Sequence, residues 1–418
     1  MNDDVQTREL DAIDPLAGFS ERFYFPERRD GSRPLYLTGN SLGLMPKTAR
    51  EYVEQELKDW GTLGVEGHLH AKNPWLPYHE FLTEPIARIV GANPVETVVM
   101  NSLTVNLHLL MVSFYRPSAE RRKIVIEKGA FASDRYAVWS HMRCHGFNPD
   151  LLLTELTPRE GETVLRTEDI VETIGRDGDS IALILVGGVN YYTGQAFDIE
   201  AITKAGHDAG AVVAFDLAHA AGNIELRMHD WNVDFGAWCS YKYLNGGPGA
   251  VAGAFVHERH ARSFDLPRFA GWWGHDKESR FKMGPDFRPI PGAEGWQISN
   301  PPILQMAALR ASLEIFDEAG ILALREKSEK LTGYLEALIN KINDDRITII
   351  TPSDPSERGC QLSIRIKNAD KGLFEAISAR GVVADWRDPD VIRVAPVPLY
   401  NSFSDVYEFA QILKDCLA

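Results

Sequence analysis

Along the chain, apolar positions fall into two rhythms. Residues 48–60, TAREYVEQELKDW, place theirs at helical spacing, and residues 96–115, ETVVMNSLTVNLHLLMVSFY, read as a short strand running into an apolar helix. The middle of the chain then alternates. KIVIE, IALILVG, AVVAFD and GAFVHE are compact apolar runs with strand character. Between them lie helical patterns from Ser133, in TEDIVETIG and in IEAITKAGHDAG. Continuous apolar strands separated by helices predict an α/β domain with a mainly parallel, doubly covered sheet. From Pro301 the rhythm changes to two long amphipathic helices, PPILQMAALRASLEIFDEAG and ILALREKSEKLTGYLEALINKI. The strands RITIITP and QLSIRI, a helix and the strand VIRVAPV follow, as in a smaller α+β domain.

Length and composition narrow the class. A chain of 418 residues exceeds one ordinary core, yet no low-complexity linker divides it, so a large and a small domain sharing an interface are expected. No internal repeat of solenoid type occurs, and no apolar run approaches a membrane span. The polar, acidic start MNDDVQTRELDAIDP has neither secretory nor transit-peptide character, which gives a cytoplasmic expectation. Cys144, Cys239, Cys360 and Cys416 stand far apart without a CxxC, so neither a disulfide framework nor a zinc ribbon is indicated. A net charge of -15 argues against nucleic acid as the partner, although a small anion can still be held locally by amide dipoles.

Asp216 ends the run VVAFD. Ligands of open parallel sheets gather outside the carboxyl ends of strands, and His219 follows three residues later; a cap for the next helix is the plainer account. Past one more apolar segment, DFGAWCS, comes Lys242 between Tyr241 and Tyr243. A surface lysine is the usual case, but this aromatic setting desolvates the amine and favours its nucleophilic form. A lysine able to form a Schiff base, together with an acid for a pyridine nitrogen, matches pyridoxal 5'-phosphate (PLP). MNSLTVNLH supplies strand, turn and helix start for the phosphate, with Ser102 and Thr104 as hydroxyl donors; taken alone, an ordinary capped helix is the more common account. GGPG at 246–249 is a weak phosphate signal and more commonly a turn. The histidines of HMRCH (His141, His145) have metal-ligand spacing but lack the HExxH glutamate and a third ligand, and those of GHLH (His68, His70) suit a polar loop, a metal or a substrate pocket.

The ordered set GNSLGL, NSLTVNLHLLMVSFY, FDLAHAAGN, WCSYKYLNGGPG, GWWGH, RFKM, ISNPP, ERGCQL and IRVAPVPLYNS closely resembles the kynureninase family, from about residue 35 to the C-terminus. The resemblance implies a PLP-dependent fold of type I, related to aspartate aminotransferase. Its large PLP-binding domain would span 60–305, and its small domain 1–59 with 306–418. It further implies a homodimer with shared active sites that hydrolyses L-kynurenine or 3-hydroxy-L-kynurenine to an anthranilate and L-alanine in tryptophan catabolism. Carried over by position, Lys242 holds the cofactor, Asp216 its pyridine nitrogen with Asp134 nearby, and His219 lies beside it. Phe131 would stack on the ring, and Leu103, Thr104 and Tyr241 would hold the phosphate end with Trp272 and Asn300 from across the dimer. Tyr241 would also be the proton donor or shuttle. Arg393 would clamp the substrate carboxylate, with Ser41, His68, Ser299 and Asn300 around the aromatic ring. Gly187 stands where some relatives have a hydroxyl. A cysteine desulfurase or aminotransferase of the same fold is the alternative, and a desulfurase would need a mobile nucleophilic cysteine.

Overall fold

A computed structural model describes residues 3–418. Seven strands build the main sheet: β1 (Thr97–Val99), β2 (Lys123–Glu127), β3 (Leu153–Leu156), β4 (Ile181–Gly187), β5 (Val212–Asp216), β6 (Phe235–Trp238) and β7 (Gly253–Val256). Their spatial order is β1-β7-β6-β5-β4-β2-β3. The run from β6 to β3 is parallel, as the alternation of strand and helix predicts. β4 shows why its sequence is apolar throughout. Ile184 and Val186 enter the core on one face of the sheet while Leu183 and Leu185 enter the core on the other, and all seven residues are buried.

β7 departs from the expected parallel pattern: it runs antiparallel to both β6 and β1. Residues 239–252 return the chain without a helix, and a connection lacking a crossover can only reverse direction. β3 was not legible as a strand, because LTEL sits at the sheet edge with only Leu156 buried. Asp216, Glu127 and Gly187 thus close the carboxyl ends of three neighbouring strands, and β6 beside them leads into the lysine segment.

The second sheet is antiparallel, from β8 (Ile347–Ile349), β9 (Leu362–Ile366), β10 (Asp385–Arg387) and β11 (Val391–Val394), in the order β8-β9-β11-β10. Helices Ile321–Ile342 and Phe403–Leu417 cover it through Leu331, Leu335, Val406 and Phe409, which meet Ile364 and Ile392. A reciprocal Ser402–Asp405 capping box starts the last helix. In the amino-terminal segment Leu35–Tyr36 pairs in parallel with Val382–Val383, while Phe23 and Leu44 enter the core of the large sheet. Helix Ile303–Ala319 instead packs its Met306, Leu309 and Leu313 into the core of the large sheet. No described helix is long and apolar enough to cross a membrane.

Candidate active site

Asp216 is 6% exposed at the end of β5. Its Oδ1 accepts the amide N–H of Ala218 at 2.7 Å, so the local capping role holds for one oxygen. The residue also lines a cavity of about 140 Å³ together with Asp134, His219 and Lys242. The two readings of this carboxylate are therefore compatible. Asp134, in the first turn of helix Ala132–Cys144, is driven well above the ordinary carboxylate range by burial and by the charge of Asp216. Burial raises Asp216 as well, but the Asp134 side chain, the Ala218 amide and Lys242 favour its ionised form. Asp134 consequently keeps the proton of the pair and Asp216 carries the charge.

Lys242 lies four residues beyond β6, where its Nζ stands 5.9 Å from the ring centroid of Phe131. Its charge acts on Asp216, Asp134, His219 and Cys239, which places the amine among the cavity groups. The segment is pinned from behind. Gly43 N–H donates to the carbonyl of Tyr241 at 2.8 Å, and a Cβ on Gly43 would sit 2.3 Å from the carbonyl oxygen of Lys242. This close approach explains the glycine of GNSLGL. Tyr241 keeps its phenolic proton because burial and the adjacent Cys239 thiol push its pKa up.

Opposite, helix Leu103–Phe114 starts at Ser102 with no side-chain cap, and Ser102, Leu103 and Thr104 line the cavity. A positive helix end with uncapped amides is an anion site. The residues fit PLP: an amine, an acid for the ring nitrogen, an amide cradle, and two buried polar atoms, Asp134 Oδ1 and His219 Nδ1, that have no protein partner. Phe131 and Tyr191, in edge contact at 5.3 Å, wall the same space.

Not every expected residue converges here. Arg393 is buried but already engaged, in an ion pair with Asp385 and a hydrogen bond to the Tyr191 carbonyl. Ser299 and Asn300 line a neighbouring pocket that shares Ser102, and Trp272 lines a third beside Arg280. His68 packs edge-on against Trp75 with Nδ1 3.0 Å from the Val65 carbonyl, and exposed Ser41 lies outside the cavity lining. His141 of HMRCH pairs with His108 at 3.1 Å rather than with a set of metal ligands. Glu127 was missed. It is fully buried in the cavity wall, both carboxylate oxygens lie 3.3 Å from the Gly187 amide, and burial raises its pKa to about 7. A Cβ at Gly187 would meet Glu127 Oε1 at 3.0 Å, so the carboxylate crowds the space that a hydroxyl side chain would need.

The description Kynureninase C-terminal domain matches residues 324–413. Across nearly the whole chain, the kynureninase of Koribacter versatilis (strain Ellin345) is 63% identical, over 96% of this chain and 95% of its own length. The chain belongs to the kynureninase family. The kynureninase of Myxococcus xanthus (strain DK1622) is 59% identical over 97% of this chain and 96% of its own. Solved structures share the fold of the kynureninase family chain at low identity. The cysteine desulfurase CsdA from Escherichia coli has a TM-score of 0.78 at 16% identity, covering 96% of this chain and 98% of that one. A C-DES variant with glycine covalently linked to its PLP cofactor has a TM-score of 0.77 at 15% identity, covering 91% and 96%. These neighbours establish the type I fold of PLP enzymes for this kynureninase family member.

Proposed function

We propose that this chain hydrolyses L-kynurenine, 3-hydroxy-L-kynurenine or both, giving L-alanine and the corresponding anthranilate, with PLP as cofactor. The observation that carries the reading is the meeting of Lys242 and Asp216 in one cavity, within a chain 63% identical to a kynureninase. When bound, PLP supplies an electron sink that stabilises negative charge beside the amino-acid carbon. The protein does the rest. Asp216, ionised and oriented by the Ala218 amide, keeps a proton on the ring nitrogen, and protonated Asp134 supports it. Lys242 Nζ takes and returns the proton at the substrate α-carbon, and the amides of Leu103 and Thr104 anchor the phosphate. Water adds to the ketone, the carbon–carbon bond breaks to free the anthranilate, and Tyr241 Oη, held neutral by burial, delivers a proton to the β-carbon left on the alanyl fragment. Phe131 and Tyr191 wall the space beside the amine.

Incubation of the purified protein with L-kynurenine is expected to release fluorescent anthranilate and one equivalent of L-alanine. Lys242→Ala is expected to abolish both, together with borohydride fixation of cofactor mass on the peptide containing residue 242. Absence of anthranilate from L-kynurenine and of 3-hydroxyanthranilate from 3-hydroxy-L-kynurenine, with a PLP-loaded wild type, refutes the assignment. The desulfurase alternative lacks support, since no cysteine lines the cavity among the described residues and Cys239 and Cys360 are buried. The working form we infer is a cytoplasmic homodimer. Trp272, Ser299 and Asn300 stand outside this chain's own cavity, as residues lent to a partner's site would.

A further inference from the structure

The arginine expected to clamp the substrate carboxylate already holds a carboxylate. Asp385 and Arg393 face each other directly in the β10/β11 register. Asp385 Oδ2 is ion-paired with Arg393 Nη2 and also lies 2.9 Å from Arg387 Nη2. Arg393 Nη1 donates to the carbonyl of Tyr191, so both prongs of its fork are occupied. The cluster is nonetheless one anion short. It contains two guanidinium groups and one carboxylate, and the Nε atoms of Arg387 and Arg393 are buried without a partner. Arg393 is 1% exposed, a setting in which excess charge is strongly unfavourable unless paired. Both guanidinium carbons stand 5.9 Å from the ring centroid of Tyr191, which lines the catalytic cavity. The charges of Arg393 and Arg387 also reach His219 on the cavity wall.

We propose that Asp385 is an internal stand-in for the substrate carboxylate. In the empty site it occupies Arg393; when an α-amino acid binds, the incoming carboxylate takes its place on Arg393 and Arg387 retains Asp385. Two arginines and two carboxylates then balance. Asp385 and Arg387 are therefore positioning residues, and they act with opposite sign. Removing the stand-in strengthens binding, whereas removing its alternative partner leaves Asp385 tied to Arg393 and weakens binding. The inference rests on the amino-acid-substrate reading of the site.

The test titrates L-alanine into PLP-loaded Asp385→Asn and Arg387→Gln, following the visible absorbance of the bound cofactor, and measures kcat and KM for L-kynurenine in parallel. Asp385→Asn is expected to lower the Kd of L-alanine and the KM about three- to tenfold, and Arg387→Gln to raise both by a similar factor, the scale of one charge-assisted hydrogen bond. In both variants the change in KM exceeds the change in kcat. Asp385→Ser replaces Asp385→Asn if the latter does not fold, with the same expected direction. Equal direction in the two variants, as a purely structural ion cluster would give, overturns the proposal, and so does an unchanged Kd. A wild type that binds L-alanine without turning over kynurenine refutes the assigned reaction instead, and the alanine titration still decides the role of Asp385.

Discussion

Glu127 and Asp216 are acids at the ends of two apolar strand runs that flank β4, and burial treats them differently. Asp216 has a proton-bearing neighbour, the Ala218 amide and Lys242 to favour its charge, whereas Glu127 has only backbone amides against full burial and repulsion from Asp216. Its folded pKa of about 7 exceeds that of an unfolded glutamate, so the folded state binds more protons between about pH 4.5 and 7 and loses stability as pH rises through that window. Glu127→Gln is expected to raise the thermal midpoint of the cofactor-free protein at pH 8, by up to about 3 kcal/mol in stability, and to leave it nearly unchanged at pH 5. Scanning calorimetry at both pH values checks this. Asp216→Asn presents a neutral group to the ring nitrogen and is expected to lower kcat by about 10³-fold or more while PLP still binds, as measured by steady-state rates and cofactor content. Asp216 was legible because VVAFD ends in an acid and a lysine follows. KIVIE ends in an acid too, but nothing in the sequence near Glu127 hinted at chemistry. Asp385 was not legible at all, since its meeting with Arg393 depends on the register of a three-residue strand.

At the level of elements, the helical and strand rhythms located β2, β4, β5 and the two long helices after Pro301, because their apolar periodicity is continuous. The direction of β7 was hidden, because a strand buried on both faces looks alike whichever way it runs. Gly253 shows what the antiparallel pairing requires. It lies opposite Trp238, and a Cβ there would meet the indole ring at 2.3 Å. Gly253→Ala is expected to destabilise the protein by about 1–3 kcal/mol through overpacking, and to weaken PLP affinity because Trp238 precedes the lysine segment. Urea unfolding and a PLP titration measure the two effects.

For the molecule as a whole, the α/β class and the PLP chemistry could be read from one chain, while Trp272, Ser299 and Asn300 line other pockets than the cavity of Lys242. Trp272, Ser299 and Asn300 came from family resemblance, and no spacing in the sequence says which subunit's cavity they serve. We propose a boundary between the two domains near Gly320, where helix Ile303–Ala319 of the large core gives way to helix Ile321–Ile342 of the small one. The proposed sharing of sites makes a direct prediction. Mixing inactive Lys242→Ala and Asn300→Ala chains under subunit exchange is expected to restore roughly a quarter of wild-type activity, because half the dimers are mixed and each carries one intact site. An anthranilate assay before and after exchange, with sedimentation to confirm the dimer, checks it. The lysine-bearing excursion, finally, leaves and rejoins the sheet at a single rung, Trp238 beside Gly253. Its feet are clasped together, so a single proteolytic nick within it would leave both fragments gripped by β6 and β7; the cut protein would keep its shape and lose the aim of its amine.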